Sequence, residues 1–122
     1  MGLQECREKV AIVINEYVKK NGYDQIKTNE EIRNDIIGNK VELDVMFQEP
    51  DMCYNKTNKA NLKTYSKDVL LFEQVGRGKF RILGENYPYS GDVIWKHRDG
   101  KEEIVGKWDK GNLNYWGDSV VD

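Results

Sequence analysis

Apolar residues recur at steps of three and four along the first segment of the chain. Leu3, Cys6, Val10, Val13, Ile14, Tyr17 and Val18 fall on one stripe, which predicts an amphipathic helix of about five turns. Asn21-Gly22 ends it, with glycine supplying the left-handed closing residue, and Lys19 and Lys20 suit the negative end of the helix dipole. Tyr23 to Lys27 is a short connection, in which Ile26 is expected to point inward and to form a brief strand beside a later hairpin. Thr28-Asn29-Glu30-Glu31 has the spacing of a capping box. A second helix is therefore predicted to about Ile37, burying Ile32, Ile36 and Ile37 and stopping at Gly38. Val41, Leu43, Val45 and Phe47 then alternate with Glu42, Asp44 and Met46, a period of two that predicts an extended segment packed on one face.

Pro50 is suited to open a third helix and Asp51 to cap it. That helix is predicted over 51–62, with Met52, Cys53 and Ala60 toward the core and Asn55, Lys56, Asn58 and Lys59 outward. Val69 to Val75 and Lys79 to Leu83 read as two strands around the turn Gly76-Arg77-Gly78, with Phe80 and Ile82 on one face and Lys79 and Arg81 on the other. After the loop Glu85 to Gly91, Asp99-Gly100 separates two more β-prone runs, a strong two-residue hairpin signal. The register that follows sets Trp95 opposite Ile104 and Lys96 opposite Glu103. Trp95, Trp108, Tyr115 and Trp116 make this hairpin aromatic. Two placements stay open for it: packing on the first helix, or forming a homodimer or protein-partner surface. The tail from Gly117 to Asp122 is expected to fray.

Composition changes this picture little. A chain of 122 residues, 39% hydrophobic and 33% charged, is expected to be a single domain, 1–122, of an ordinary soluble protein. No apolar run approaches the roughly 18 residues of a membrane span, and the start Met1 to Cys6 lacks a secretory apolar region, so no membrane partner and a cytoplasmic location are expected. Cys6 and Cys53 sit in no disulfide framework and are expected to be buried, reduced thiols. One histidine and two scattered cysteines cannot supply four zinc ligands. No metal and no cofactor are expected.

Charge is more informative by region than in total. The chain carries a formal net charge of −2. Residues 1–53 hold seven Lys and Arg against eleven Asp and Glu, residues 54–81 seven against two, and residues 82–122 five against eight. A basic segment between two acidic ones is the asymmetry of a protein that turns one face to a polyanion.

Two stretches carry a family resemblance: Pro-Asp-Met-Cys-Tyr-Asn-Lys-Thr-Asn at 50–58 and Leu-Phe-Glu-Gln-Val-Gly-Arg-Gly-Lys-Phe-Arg-Ile-Leu at 71–83. Together they resemble the winged helix-turn-helix domains of bacterial and phage DNA-processing proteins, including accessory domains of restriction-type nucleases. The resemblance covers residues 3–84 and implies an α+β winged helix-turn-helix, three helices plus a β-hairpin wing, with residues 85–122 as an additional C-terminal β-hairpin and tail. It implies that the first stretch supplies a major-groove helix and the second the wing. The thirteen residues from Gly38 to Pro50 exceed the usual three- or four-residue turn of such domains. Duplex DNA is then the expected partner, met by Tyr54, Asn55, Lys56, Thr57, Asn58, Lys59, Lys63, Arg77 and Lys79. A lysine- and asparagine-rich helix can also be no more than a solvated face.

Catalytic signatures do not assemble. Pro50-Asp51 has no Glu-x-Lys after it to complete a nuclease site, His97 has no second histidine, and Gly76-Arg77-Gly78 joins two strands instead of opening a phosphate-binding helix. The expected function is non-enzymatic DNA binding. The alternative is a protein-interaction module, such as a phage or mobile-element inhibitor or adaptor, using the same fold.

Overall fold

The computed structural model describes residues 2–23, 25–57, 65 and 69–117. The predicted first helix is present as α1 (Leu3–Asn21), and its stripe buries Cys6, Val10, Ile14 and Val18. Gly22, at φ +80°, closes it and donates its N–H to Val18 O at 2.7 Å. A short strand β1 (Ile26–Thr28) runs directly into α2 (Asn29–Glu31). Both bonds of the capping box form: Thr28 Oγ1 accepts the Glu31 N–H at 3.1 Å, and Glu31 Oε1 accepts the Thr28 N–H at 3.0 Å. From Ile32 to Ile37 the winding widens to a π-helix, closed by the Gly38 N–H on Arg33 O at 2.9 Å. Ile32, Ile36 and Ile37 are all buried, as the pattern predicts.

The alternation over 41–47 holds only in part. Val41 and Phe47 are buried, but Val45 is 93% exposed. Asp44 turns the chain, its O accepting the Phe47 N–H and its Oδ1 the Met46 N–H, both at 2.9 Å. Val45 and Met46 thus occupy a loop tip instead of a strand face.

The third helix is the main correction. Pro50 does open a helical turn, but it is a 3-10 turn of four residues, Glu49–Met52. Cys53 is already extended, at φ −105° and ψ 141°, and Lys56–Thr57 form strand β2. Asp51 serves not as a cap but as the partner of Arg7, at 3.6 Å. The part of the predicted helix from Asn58 onward, with Ala60 and Leu62, lies outside the described residues. Cys53 to Thr57 leaves the helical course because both its flanks offer backbone partners. Cys53 bridges Phe72 in parallel, the Tyr54 N–H donates to Phe72 O at 2.8 Å, and β2 pairs in parallel with Ile94 and Trp95. Extended backbone satisfies these groups; a helix would bury them unpaired.

Strands β3 (Phe72–Gly76) and β4 (Lys79–Ile82) form the first predicted hairpin. β1 adds to it as expected, giving a three-stranded sheet of order β1-β4-β3. Ile26, however, pairs with Arg81 on the outer face and is 47% exposed. A second sheet has the order β2-β5-β6-β7, from β5 (Gly91–Lys96), β6 (Glu102–Asp109) and β7 (Asn112–Tyr115). Among the described residues the chain is thus mostly β, with seven strands in two sheets, one of them curled into a half-barrel. It is not a three-helix winged helix-turn-helix.

The second hairpin forms one residue out of the predicted register at its tip. Trp95 faces Glu103 and Ile94 faces Ile104. His97 N–H donates to Lys101 O at 2.8 Å, so the loop is Arg98-Asp99-Gly100, three residues with Gly100 left-handed at φ +91°. A bulge after Val93 absorbs the offset, so Gly91, Asp92 and Val93 meet Trp108, Lys107 and Gly106. β7 has no counterpart in the sequence reading. Its turn, Lys110-Gly111, has both residues at positive φ, +49° and +87°, the conformation of a tight hairpin.

Two apolar clusters result. One joins α1, the π-helix and the first sheet through Val10, Ile14, Ile32, Phe72 and Phe80. The other gathers Tyr54, Tyr65, Leu70, Leu83, Tyr89, Val93, Trp95 and Val105. The aromatic hairpin therefore packs on the Tyr54 and Tyr89 cluster, which contains no residue of α1.

Candidate functional site

Residues expected to meet DNA divide sharply by location. Tyr54 is 3% exposed. Its hydroxyl donates to Gly84 O at 2.7 Å and accepts the Tyr87 N–H at 3.2 Å, while its carbonyl accepts the Trp108 indole N–H at 2.9 Å. Asn55 spends its amide on the backbone of Gln74, and Thr57 is buried in β2. Lys56 is half-exposed, with Nζ 3.8 Å from a Glu102 oxygen. Asn58, Lys59 and Lys63 lie outside the described residues. Arg77 and Lys79 are exposed at the β3–β4 turn, and neither forms an ion pair among the described residues. The turn is steadied by the Asn29 N–H, which donates to Gly78 O at 3.2 Å.

The basic segment is thus partly used internally. Arg81 Nε bonds Glu73 Oε1 at 3.0 Å, and Tyr89 donates to the other Glu73 oxygen at 2.7 Å. Burial, and then the hydrogen bond and charge of Glu73, push the Tyr89 phenol well above its ordinary range. Cys53, fully buried, is likewise pushed far up by desolvation, with Asp51 adding to the effect. A thiol in that state is an apolar core group, not a nucleophile. Cys6 is equally buried, and both cysteines are free.

Glu85, Asn86 and Tyr87 form a cleft with Tyr54 and Trp108 at the loop from Gly84 to Ser90. Gly84, at φ +79°, sits against α1, where an added Cβ would lie 2.9 Å from Asn15 Oδ1. Asn15 then grips Glu85 twice: Nδ2 donates to the carboxylate at 3.0 Å, and Oδ1 accepts the Glu85 N–H at 2.9 Å. Tyr54 stacks on Tyr89 with centroids 5.4 Å apart, while Tyr87 and Trp108 meet it edge-on at 6.5 and 5.3 Å. Burial above all, with Glu85 charge in addition, raises the Tyr54 phenol to about 12. One cavity here, about 240 Å³, is lined by Tyr54, Leu70, Glu85, Asn86, Tyr87, Trp108 and Gly111. Its sequence signal was the aromatic density of Tyr87-Pro88-Tyr89 between two glycines, but nothing local linked that loop to Tyr54 or Trp108.

Fold and cleft together define a mostly-β domain of two small sheets, with one long helix packed on the core of the first. The chain belongs to the family described as "Domain of unknown function (DUF7225)", whose pattern matches residues 7–115. Over 62 residues it is 40% identical to the "Uncharacterized protein YnaC" of Bacillus subtilis (strain 168), a match covering 50% of this chain and 22% of that protein. The chain thus spans about a fifth of the length of that relative. No solved structure matches it. Among the described residues, no helix is long and apolar enough to cross a membrane.

Proposed function

We propose that the protein is a non-catalytic binding domain that engages duplex DNA through its phosphate backbone, with Arg77 and Lys79 at the β3–β4 turn as the contacting cations. The observation that carries this reading is their shared place at one hairpin tip, exposed and without an ion pair among the described residues. Arg7, Arg33, Lys56 and Arg81 all have carboxylate partners, whereas Arg77 and Lys79 stand exposed without one among the described residues. A fixed hairpin tip can place both charges against a phosphate. Base reading by Tyr54 and Asn55 has no part in this reading, because their polar atoms are already bonded. Two phosphate contacts support weak, sequence-independent binding. The buried, unpaired thiols suit a reducing cytoplasm, where we place the protein.

Titration of random duplex DNA at two salt concentrations tests it. Affinity should fall with salt, and the Arg77→Ala/Lys79→Ala protein should lose about two units of the log–log slope. Salt-insensitive binding, no binding, or an unchanged double variant would each overturn the reading. A second reading, a protein-interaction module, is favoured by the aromatic cleft.

A further inference from the structure

The cavity beside Tyr87 differs from its neighbours in one chemical respect. The cavity lined by Glu73 and Tyr89 contains Arg81, which already holds the carboxylate, and the one beside α1 contains Lys19. Among the described residues, the cavity at Trp108 is lined by three aromatic rings and one carboxylate, with no lysine or arginine. Glu85 forms no ion pair among the described residues. Its carboxylate bonds the neutral amide of Asn15, which fixes its position between this cavity and the one beside α1, where Lys19 also stands, without an ion pair.

Tyr87 and Trp108 are each half-buried, so each leaves ring surface open toward solvent. The rings are set edge to face around Tyr54, and the Trp108 indole N–H is committed to the Tyr54 carbonyl. The cleft therefore offers electron-rich ring surface and a negative charge beside the Asn86 amide and the Tyr87 hydroxyl. At about 240 Å³ the space is below the roughly 300–1,000 Å³ typical of sites for drug-sized ligands. It suits a compact head group.

From these features we infer that this cavity binds an alkylammonium head group, held by cation–π contact with Tyr87 and Trp108 and by the charge of Glu85. The inference deepens the protein-interaction reading where the cation is a lysine side chain, and it does not depend on the hairpin binding DNA. An anionic ligand would be repelled by the Glu85 carboxylate.

The test uses the full chain and amide and indole NMR shifts. The probes are choline, its uncharged isostere 3,3-dimethyl-1-butanol, and Nα-acetyl-lysine amide with and without Nε-trimethylation. The charged probes should produce saturable shifts at Trp108, Tyr87, Asn86 and Gly111, and the isostere should not. Tighter binding of a lysine derivative would assign the pocket to a protein partner, and tighter binding of choline to a free small cation. Glu85→Gln keeps an oxygen for Asn15 and should weaken binding several-fold. Tyr87→Leu removes a ring face and should weaken it by roughly three- to thirtyfold. Equal shifts from choline and its isostere, no saturable shift from any probe, or unchanged affinity in both variants would overturn the inference. Choline binding should survive Arg77→Ala/Lys79→Ala, so the outcome is separate from that of the DNA titration.

Discussion

The side-chain amide of Asn55 completes both main-chain hydrogen bonds of Gln74. Nδ2 donates to Gln74 O at 2.8 Å, and Oδ1 accepts the Gln74 N–H at 2.9 Å. A single side chain thus stands in for a strand along the edge of β3, while its own carbonyl accepts the Ile94 N–H of the other sheet at 2.9 Å. Asn55→Ala would leave both Gln74 groups without these partners. The expected loss is about 1–3 kcal/mol, read in urea as a lower midpoint at constant slope. A midpoint equal to that of the parent protein would show that the amide does not tie the sheets together.

Glu49, 1% exposed, is held by Arg33 through Nε at 3.0 Å and Nη2 at 3.0 Å, and Nη2 also donates to Phe47 O at 2.8 Å. The bonds and charge of Glu49 raise the Arg33 pKa further. Arg33→Met strands a buried carboxylate and should cost about 3–5 kcal/mol. Urea melts read the loss, and a midpoint equal to that of the parent protein would mean that Glu49 does not need the guanidinium.

The Tyr54 phenol, raised to about 12 mainly by burial, lies above its unfolded value of about 10. Its contribution to stability is fully present below pH 10 and is lost as pH rises toward 12. Alkaline unfolding of the parent protein should therefore be steeper over that window than that of Tyr54→Phe. The same variant should be less stable at neutral pH, having lost the bonds to Gly84 and Tyr87. Parallel alkaline curves for the two proteins would contradict the assignment.

Gly106 lies under the Tyr115 ring: an added Cβ would be 2.9 Å from Tyr115 Cδ1 and 3.2 Å from Asn114 O. Because one neighbour is backbone, Gly106→Ala must shift β7, at about 1–3 kcal/mol. Thermal melting together with the Tyr115 ring resonances would reveal it. A variant that melts with the parent protein and keeps those resonances would show that β7 yields freely.

In the candidate site, the exposed cations Arg77 and Lys79 were legible because a turn between two strands presents its tip residues whatever lies around it. The cation pocket was not legible. Glu85, Tyr87 and Trp108 come from separate stretches, and their meeting depends on Tyr54 and Asn15 gripping one loop.

By itself the sequence determined the α1 stripe, the Thr28–Glu31 capping box, the buried face of Ile32, Ile36 and Ile37, and the existence of two hairpins. Each of these is settled within a few residues, by helical periodicity, a side chain reaching its own backbone, or a glycine at positive φ. Tertiary structure alone decided that Cys53 to Thr57 is not helical, with a β-bridge at Cys53 and strand β2 at Lys56–Thr57. The local signals of Pro50 and Asp51 support a helix start, but the backbone partners that override them, Phe72 and Ile94, lie about twenty and forty residues away. The same distance effect turned Tyr54 and Asn55 from expected DNA readers into internal braces. A polar side chain's use depends on which unpaired backbone groups the fold brings beside it, and residue type and spacing do not carry that information.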